Sequence, residues 1–144
     1  MLQQNQAALV EKLLAMVLAG FTAETGTVHR LDETAAMLHL VAQVGLPPHL
    51  LEVVKTIPVG KGIAGQVVAT RQPVTICNLQ TDNSGIARPG AKQTGVGSAL
   101  CVPIWAGDKI VGTFGIGTRR DCEYTAEQTA ELTEFARELG RLLV

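Results

Sequence analysis

Apolar side chains in residues 9–18 fall at spacings that leave more than one face of a helix hydrophobic. A helix apolar nearly all round has more than one surface to cover. Residues 27–31 and 37–44 then read as two strands around the turn Asp32-Glu33-Thr34-Ala35, whose Asp and Thr side chains can bond to their own backbone. Pro48 suits the first position of a short helix over 48–55, because its missing N–H costs nothing there. Residues 57–59 are extended, Gly60-Lys61-Gly62 is a turn, and 63–70 forms a second short helix. The β-branched stretch 74–77 is strand-like.

From 78 to 97 the pattern dissolves into Gly, Asn, Thr and other polar residues, and long loops inside a domain are usually functional. Strands over 98–105 and 109–117, joined at Ala106-Gly107-Asp108, are apolar on both faces, as in a sheet covered on two sides. Thr125 with Gln128 is a capping box. Leu132, Phe135, Ala136, Leu139, Leu142 and Leu143 then form one apolar stripe at helical spacing. The order predicts a single α+β domain over 1–144. Its antiparallel sheet has the terminal helices on one face, and short helices and the long loop enclose a pocket on the other.

Composition narrows the chemistry. A net charge of -1 excludes general electrostatic attraction to nucleic acid or anionic membrane, and 3% aromatic residues leave few surfaces for stacking bases. No apolar run is long enough to span a bilayer, and no basic segment opens the chain as a signal peptide would. Cys77, Cys101 and Cys122 are odd in number and include no Cys-x-x-Cys pair, which points to a cytoplasmic protein without a disulfide framework. No Gly-x-Ser-x-Gly or His-Glu-x-x-His motif is present. Neither a cofactor nor a metal is expected.

Several motifs resemble those of the GAF domain family. They are Gly26-Thr27-Val28-His29-Arg30-Leu31-Asp32, the segment 57–65 with its Gly60-Lys61-Gly62 turn, Ser98-Ala99-Leu100-Cys101-Val102-Pro103-Ile104, the strand 110–117, and Tyr124-Thr125-Ala126-Glu127-Gln128. The resemblance implies a six-stranded antiparallel sheet, a small-molecule pocket and dimers through the terminal helices. Such domains of bacterial signalling proteins serve histidine kinases, cyclases, phosphodiesterases or transcription activators. The branches of the family differ at residues legible here. Asn78 is followed by Leu79, and 78–97 holds no Phe or Glu, unlike the cyclic-nucleotide binders. The cysteines precede Asn78, Val102 and Glu123, unlike the bilin attachment pattern. Ala64 stands where free methionine sulfoxide reductases carry a Cys, and Gly85-Ile86-Ala87-Arg88 lacks their second sulfur.

The expected function is therefore a non-catalytic sensor whose ligand enters between the sheet and the 78–97 loop. The alternatives are a sulfoxide reductase with relocated cysteines and a ligand-free dimerisation module. The candidate lining is Ile63, Val67, Ile76, Asn78, Arg88, Lys92, Ser98 and Leu100. Lys61 is followed by Gly rather than Ser or Thr, so Gly60-Lys61-Gly62 reads as a structural turn rather than a phosphate loop. Cys77 and Cys101 read as small hydrophobes rather than a redox pair. If Leu31 faces Met37, His29 and His39 form a solvated cross-strand pair without metal. The surplus apolar surface of the first helix, including Leu13 and Val17, is expected to seek a second copy of the chain.

Overall fold

The computed structural model describes residues 4–78, 80, 96–120 and 123–143. Helix α1 (Gln4–Phe21) leads into strands β1 (Thr25–Asp32) and β2 (Met37–Val44), helix α2 (Pro48–Val54), strand β3 (Thr56–Pro58) and helix α3 (Gly62–Thr70). Strand β4 (Val74–Ile76), strands β5 (Ser98–Ala106) and β6 (Lys109–Thr118), and helix α4 (Ala126–Leu143) follow. The strands form one antiparallel sheet in the order β3-β2-β1-β6-β5-β4. The α+β architecture is the expected one.

Alternation along each strand divides the sheet into two faces. Val28, Leu100, Val102, Ile104, Phe114 and Ile116 turn toward α1 and α4, where they form the main core with Val10, Leu14, Leu132, Ala136 and Leu139. Burying side chains of this size is worth about 1.5–3 kcal/mol each. Gly26 belongs to this face, and a Cβ there would meet Leu14 and Leu18. The opposite face carries Thr25, Thr27 and His29 and is roofed by α2 and α3.

The first hairpin departs from the expected register. Asp32 pairs with Met37, Leu31 with Leu38 and Arg30 with His39, so His29 faces Leu40 rather than His39. The loop is one residue shorter than anticipated. The Ala35 N–H donates to the Asp32 carboxylate at 3.2 Å, and Ala36 takes a left-handed conformation with φ 51°. A one-residue slip reverses which side chains share a face, and that removes the histidine pair. A bulge between Val28 and His29 shifts the pairing again. It lets Ala42 face the main core while Leu40 lies opposite His29.

The turn before α3 is structural. Gly60 and Gly62 have φ of 88° and 66°, where glycine is favoured. The Gly60 and Lys61 N–H groups donate to the carbonyls of Gly65 and Pro58, and neither remains for a phosphate.

Candidate functional site

A cavity of about 160 Å³ lies between the sheet and the α2–α3 roof. Its floor is made by Thr25, Thr27 and His29 of β1, Ala99 and Cys101 of β5, and Gly115 and Gly117 of β6. Leu50, Val53, Ile57 and Ile63 supply apolar walls, and no charged residue belongs to the described lining. At the two glycines neighbouring side chains already stand where a Cβ would go. A Cβ at Gly117 would stand 2.6 Å from the Thr25 hydroxyl and 2.9 Å from Val96, and one at Gly115 would stand 3.2 Å from the Thr27 hydroxyl.

His29 is the most unusual side chain of this surface. Only 1% of it is exposed. Its Nε2 lies 2.8 Å from the Val54 carbonyl, in the last turn of α2. That carbonyl is one of the groups a helix end leaves without an internal partner. A carbonyl has no hydrogen to give, so Nε2–H donates and the ring's other nitrogen holds a lone pair. Nδ1 is buried and has no hydrogen-bond partner. Burial holds the imidazole below its usual 6.5, the Val54 bond opposes this, and nearby His39 adds to the depression.

Cys101 lies opposite Gly115, and its thiol faces Thr113. Burial pushes the thiol up to about 12, against the smaller opposing effect of the Thr113 hydroxyl. The sulfur therefore carries its proton at neutral pH, and it is the thiolate that reacts. Cys77 is exposed at the end of β4.

The expected lining is only partly brought together. Ile63 lines the cavity. Leu100 borders it, but its side chain belongs to the core under α1 and α4. Ile76 packs with Val96, Ile63 and Val74 in a small cluster beside the cavity. Val67 is buried outside the lining, and Asn78 is exposed. The Ser98 hydroxyl donates to the Arg120 carbonyl at 2.7 Å and does not line the cavity. Arg88 and Lys92 lie outside the described residues. Thr25, Thr27, His29 and Cys101 were not anticipated. Their signal was the every-other-residue recurrence Thr25, Thr27, His29 beside Gly26 and Val28.

A second hollow, of about 270 Å³, is larger but flanked by charged Glu33, Arg71 and Lys109. Arg71 is already engaged there, 4.9 Å above the Trp105 ring and 3.1 Å from the Asp108 carbonyl. The first cavity is the better candidate, because ligand sites combine apolar walls with a few placed polar groups. Among the described residues no group of three or more His, Cys, Asp or Glu could hold a metal ion. No helix among them is long and apolar enough to cross a membrane.

This fold is a six-stranded antiparallel sheet with a cavity between the sheet and its short helices. The GAF domain family profile matches residues 3–144, and the chain belongs to that family. Solved structures agree. The GAF domain of an Acinetobacter phosphoenolpyruvate-protein phosphotransferase is 17% identical, with a TM-score of 0.80 over 96% of this chain and 81% of that one. Free methionine-R-sulfoxide reductase from Neisseria meningitidis, solved with its substrate, is 17% identical, with a TM-score of 0.79 over 96% and 77%. The second GAF domain of DevS from Mycobacterium smegmatis is 25% identical, with a TM-score of 0.68 over 94% and 91%. Among curated proteins no sequence match was found.

Proposed function

We propose that this GAF domain is a non-catalytic sensor that binds a small molecule in the cavity over β1, β5 and β6. The observation that carries this reading is the cavity itself, apolar in its walls, with Thr25, Thr27 and His29 of β1 on its floor. Leu100 and Ile116 border the cavity while their side chains sit in the core under α1 and α4. A ligand that spreads or tightens these strands therefore acts on the packing of the terminal helices. It shifts their arrangement only as far as it prefers one state over the other. The helices would pass the change to a second copy of the chain or to an effector such as a kinase, cyclase or transcription activator. The phosphotransferase neighbour illustrates a GAF domain attached to an effector. The free thiols Cys77 and Cys101 suit a cytoplasmic setting.

A thermal-shift screen of small metabolites tests the reading. A ligand at 100 times its dissociation constant adds about 2.7 kcal/mol of stability. If no small neutral or charged compound raises the melting temperature, the sensor reading fails.

The reductase reading has one observation in its favour, since Cys101 borders the cavity and the Neisseria neighbour is such an enzyme. The protonated state of that thiol weighs against it. Incubation with free methionine-R-sulfoxide and a thiol reductant decides, and turnover that disappears in Cys101→Ser would favour the enzyme.

A further inference from the structure

We propose that the Thr25 and Thr27 hydroxyls are the polar anchor of the cavity, and that its ligand is a small amphipathic molecule with two hydrogen-bonding groups on one edge, one for each hydroxyl. The inference rests on the cavity being a ligand site and specifies how that site holds what enters.

The strand pairing frees these hydroxyls. Thr25 lies opposite Gly117 of β6, and Thr27 lies opposite Gly115. Directly opposed residues share a face, so each threonine is matched with a residue that has no side chain to bond or cover it. The hydroxyls lean over that bare backbone. Thr27 Oγ1 is 3.2 Å and Thr25 Oγ1 is 2.6 Å from where a Cβ would stand at Gly115 and Gly117. All four residues line the cavity.

The same geometry opens them to the cavity. β1 is an interior strand, flanked by β2 and β6. Thr25, Gly26, Val28 and His29 are buried, and Thr27 among them is half-buried. An interior strand has no free edge, so the open part of Thr27 is cavity surface. Neither hydroxyl hydrogen-bonds to another group among the described residues, and neither is sealed off as Thr113 Oγ1 is.

A hydroxyl can rotate to donate or accept, so each takes a carbonyl, hydroxyl or amide group. Two residues along a strand advance about 7 Å. Two hydrogen bonds of about 2.8 Å each span less than that, so a single ligand atom cannot serve both. Across the cavity stand Leu50, Val53 and Ile63, which suit an apolar remainder.

The probes are p-xylene, p-cresol and hydroquinone, which share one shape and carry no, one and two hydroxyls. Their dissociation constants are measured for the unaltered chain, for Thr27→Val and for Thr25→Val with Thr27→Val. Valine keeps the shape of threonine and puts a methyl in place of the hydroxyl. Ratios between probes within one protein cancel their different hydration. The preference for hydroquinone over p-xylene is expected to fall roughly tenfold with each hydroxyl removed. The preference for p-cresol, which needs one hydroxyl, should survive Thr27→Val and disappear in the double variant. Because the Thr27 hydroxyl bonds nothing in the fold, Thr27→Val should keep or raise the urea midpoint. Thr27→Val alone decides if the double variant does not fold. A lowered midpoint in Thr27→Val, or an unchanged hydroquinone preference there, overturns the anchor. In the second case p-xylene binding leaves the cavity standing as an apolar site. If none of the three probes binds the unaltered chain, the ligand-site reading falls and the anchor with it.

Discussion

Gly115 and Gly117 set the room available above the sheet, and they do not tolerate change equally. A Cβ at Gly115 meets the Thr27 hydroxyl at 3.2 Å and Cys101 Sγ at 3.7 Å, contacts that a small side-chain rotation relieves. At Gly117 the Thr25 hydroxyl and Val96 are both closer than 3.0 Å. Gly115→Ala is therefore expected to keep stability within about 1 kcal/mol in urea unfolding while weakening cavity ligands about tenfold, the effect of modest overpacking. His29 makes a second expectation, in pH. The folded state holds its pKa below the unfolded 6.5. Above 6.5 neither state is protonated, and His29 adds no pH dependence. As pH falls below 6.5 the unfolded chain takes up a proton that the fold resists, so stability drops by at most about 1.4 kcal/mol per pH unit until the folded pKa is passed. Urea midpoints between pH 8 and 5 should show this decline, and His29→Leu should flatten it. These residues were hard to read beforehand for one physical reason. Strands apolar on both faces give no alternation to fix parity, and so the sequence points as readily to Ser98 and Leu100 as to Ala99 and Cys101, which face the ligand side.

Among the elements, α4 was the most legible, because its start and its stripe are both local. The Gln128 N–H donates to Thr125 Oγ1 at 3.1 Å, and the Thr125 N–H donates to Gln128 Oε1 at 2.9 Å. Leu132, Ala136, Leu139 and Leu143 are buried as the spacing predicts, while Phe135 stands at the stripe's edge, 43% exposed. Thr125→Ala should cost about 1 kcal/mol in urea unfolding through loss of the cap. Gly140 behaves against its propensity. Gly to Ala inside a helix normally gains about 1 kcal/mol. Here the new Cβ would run into the Trp105 carbonyl oxygen of β5, and backbone cannot swing aside. Overpacking costs about 1–3 kcal/mol, so Gly140→Ala should lower stability rather than raise it. Helix α1 was less legible. Its apolar residues do wrap widely, but Val10, Leu14, Val17 and Leu18 are all buried in its own domain. They stand at i, i+4, i+7 and i+8, a single stripe, and leave Leu9 and Met16 outside it.

For the whole molecule, the large apolar side chains exposed among the described residues are Val53 beside the cavity, Leu9 and Met16 on α1 and Phe135 on α4, and Met16 is 69% exposed. A two-fold dimer through these helices is the proposed use of that surface. Val17→Asp would test the core instead, since Val17 is buried. The pair Leu9→Asp and Met16→Asp should leave the fold intact and convert a dimer to a monomer in light scattering. An unaltered chain that is monomeric at micromolar concentration would end that idea. The architecture itself was legible because helix, hairpin and cap signals came in a specific order, whereas the first hairpin's register depended on a turn geometry that its residue types alone left open. The central pairing has a further consequence in time. Thr25 of β1 lies opposite Gly117 of β6, the two joined across most of the sequence. A ribosome adding about 5–20 residues per second needs roughly five to twenty seconds between making one and making the other. During that interval β1 has only β2 beside it, and the hollow above Gly115 does not exist. A ligand therefore cannot assist the early stages of synthesis. It can stabilise only a chain whose last strand has already been placed, and so it reports on finished molecules alone.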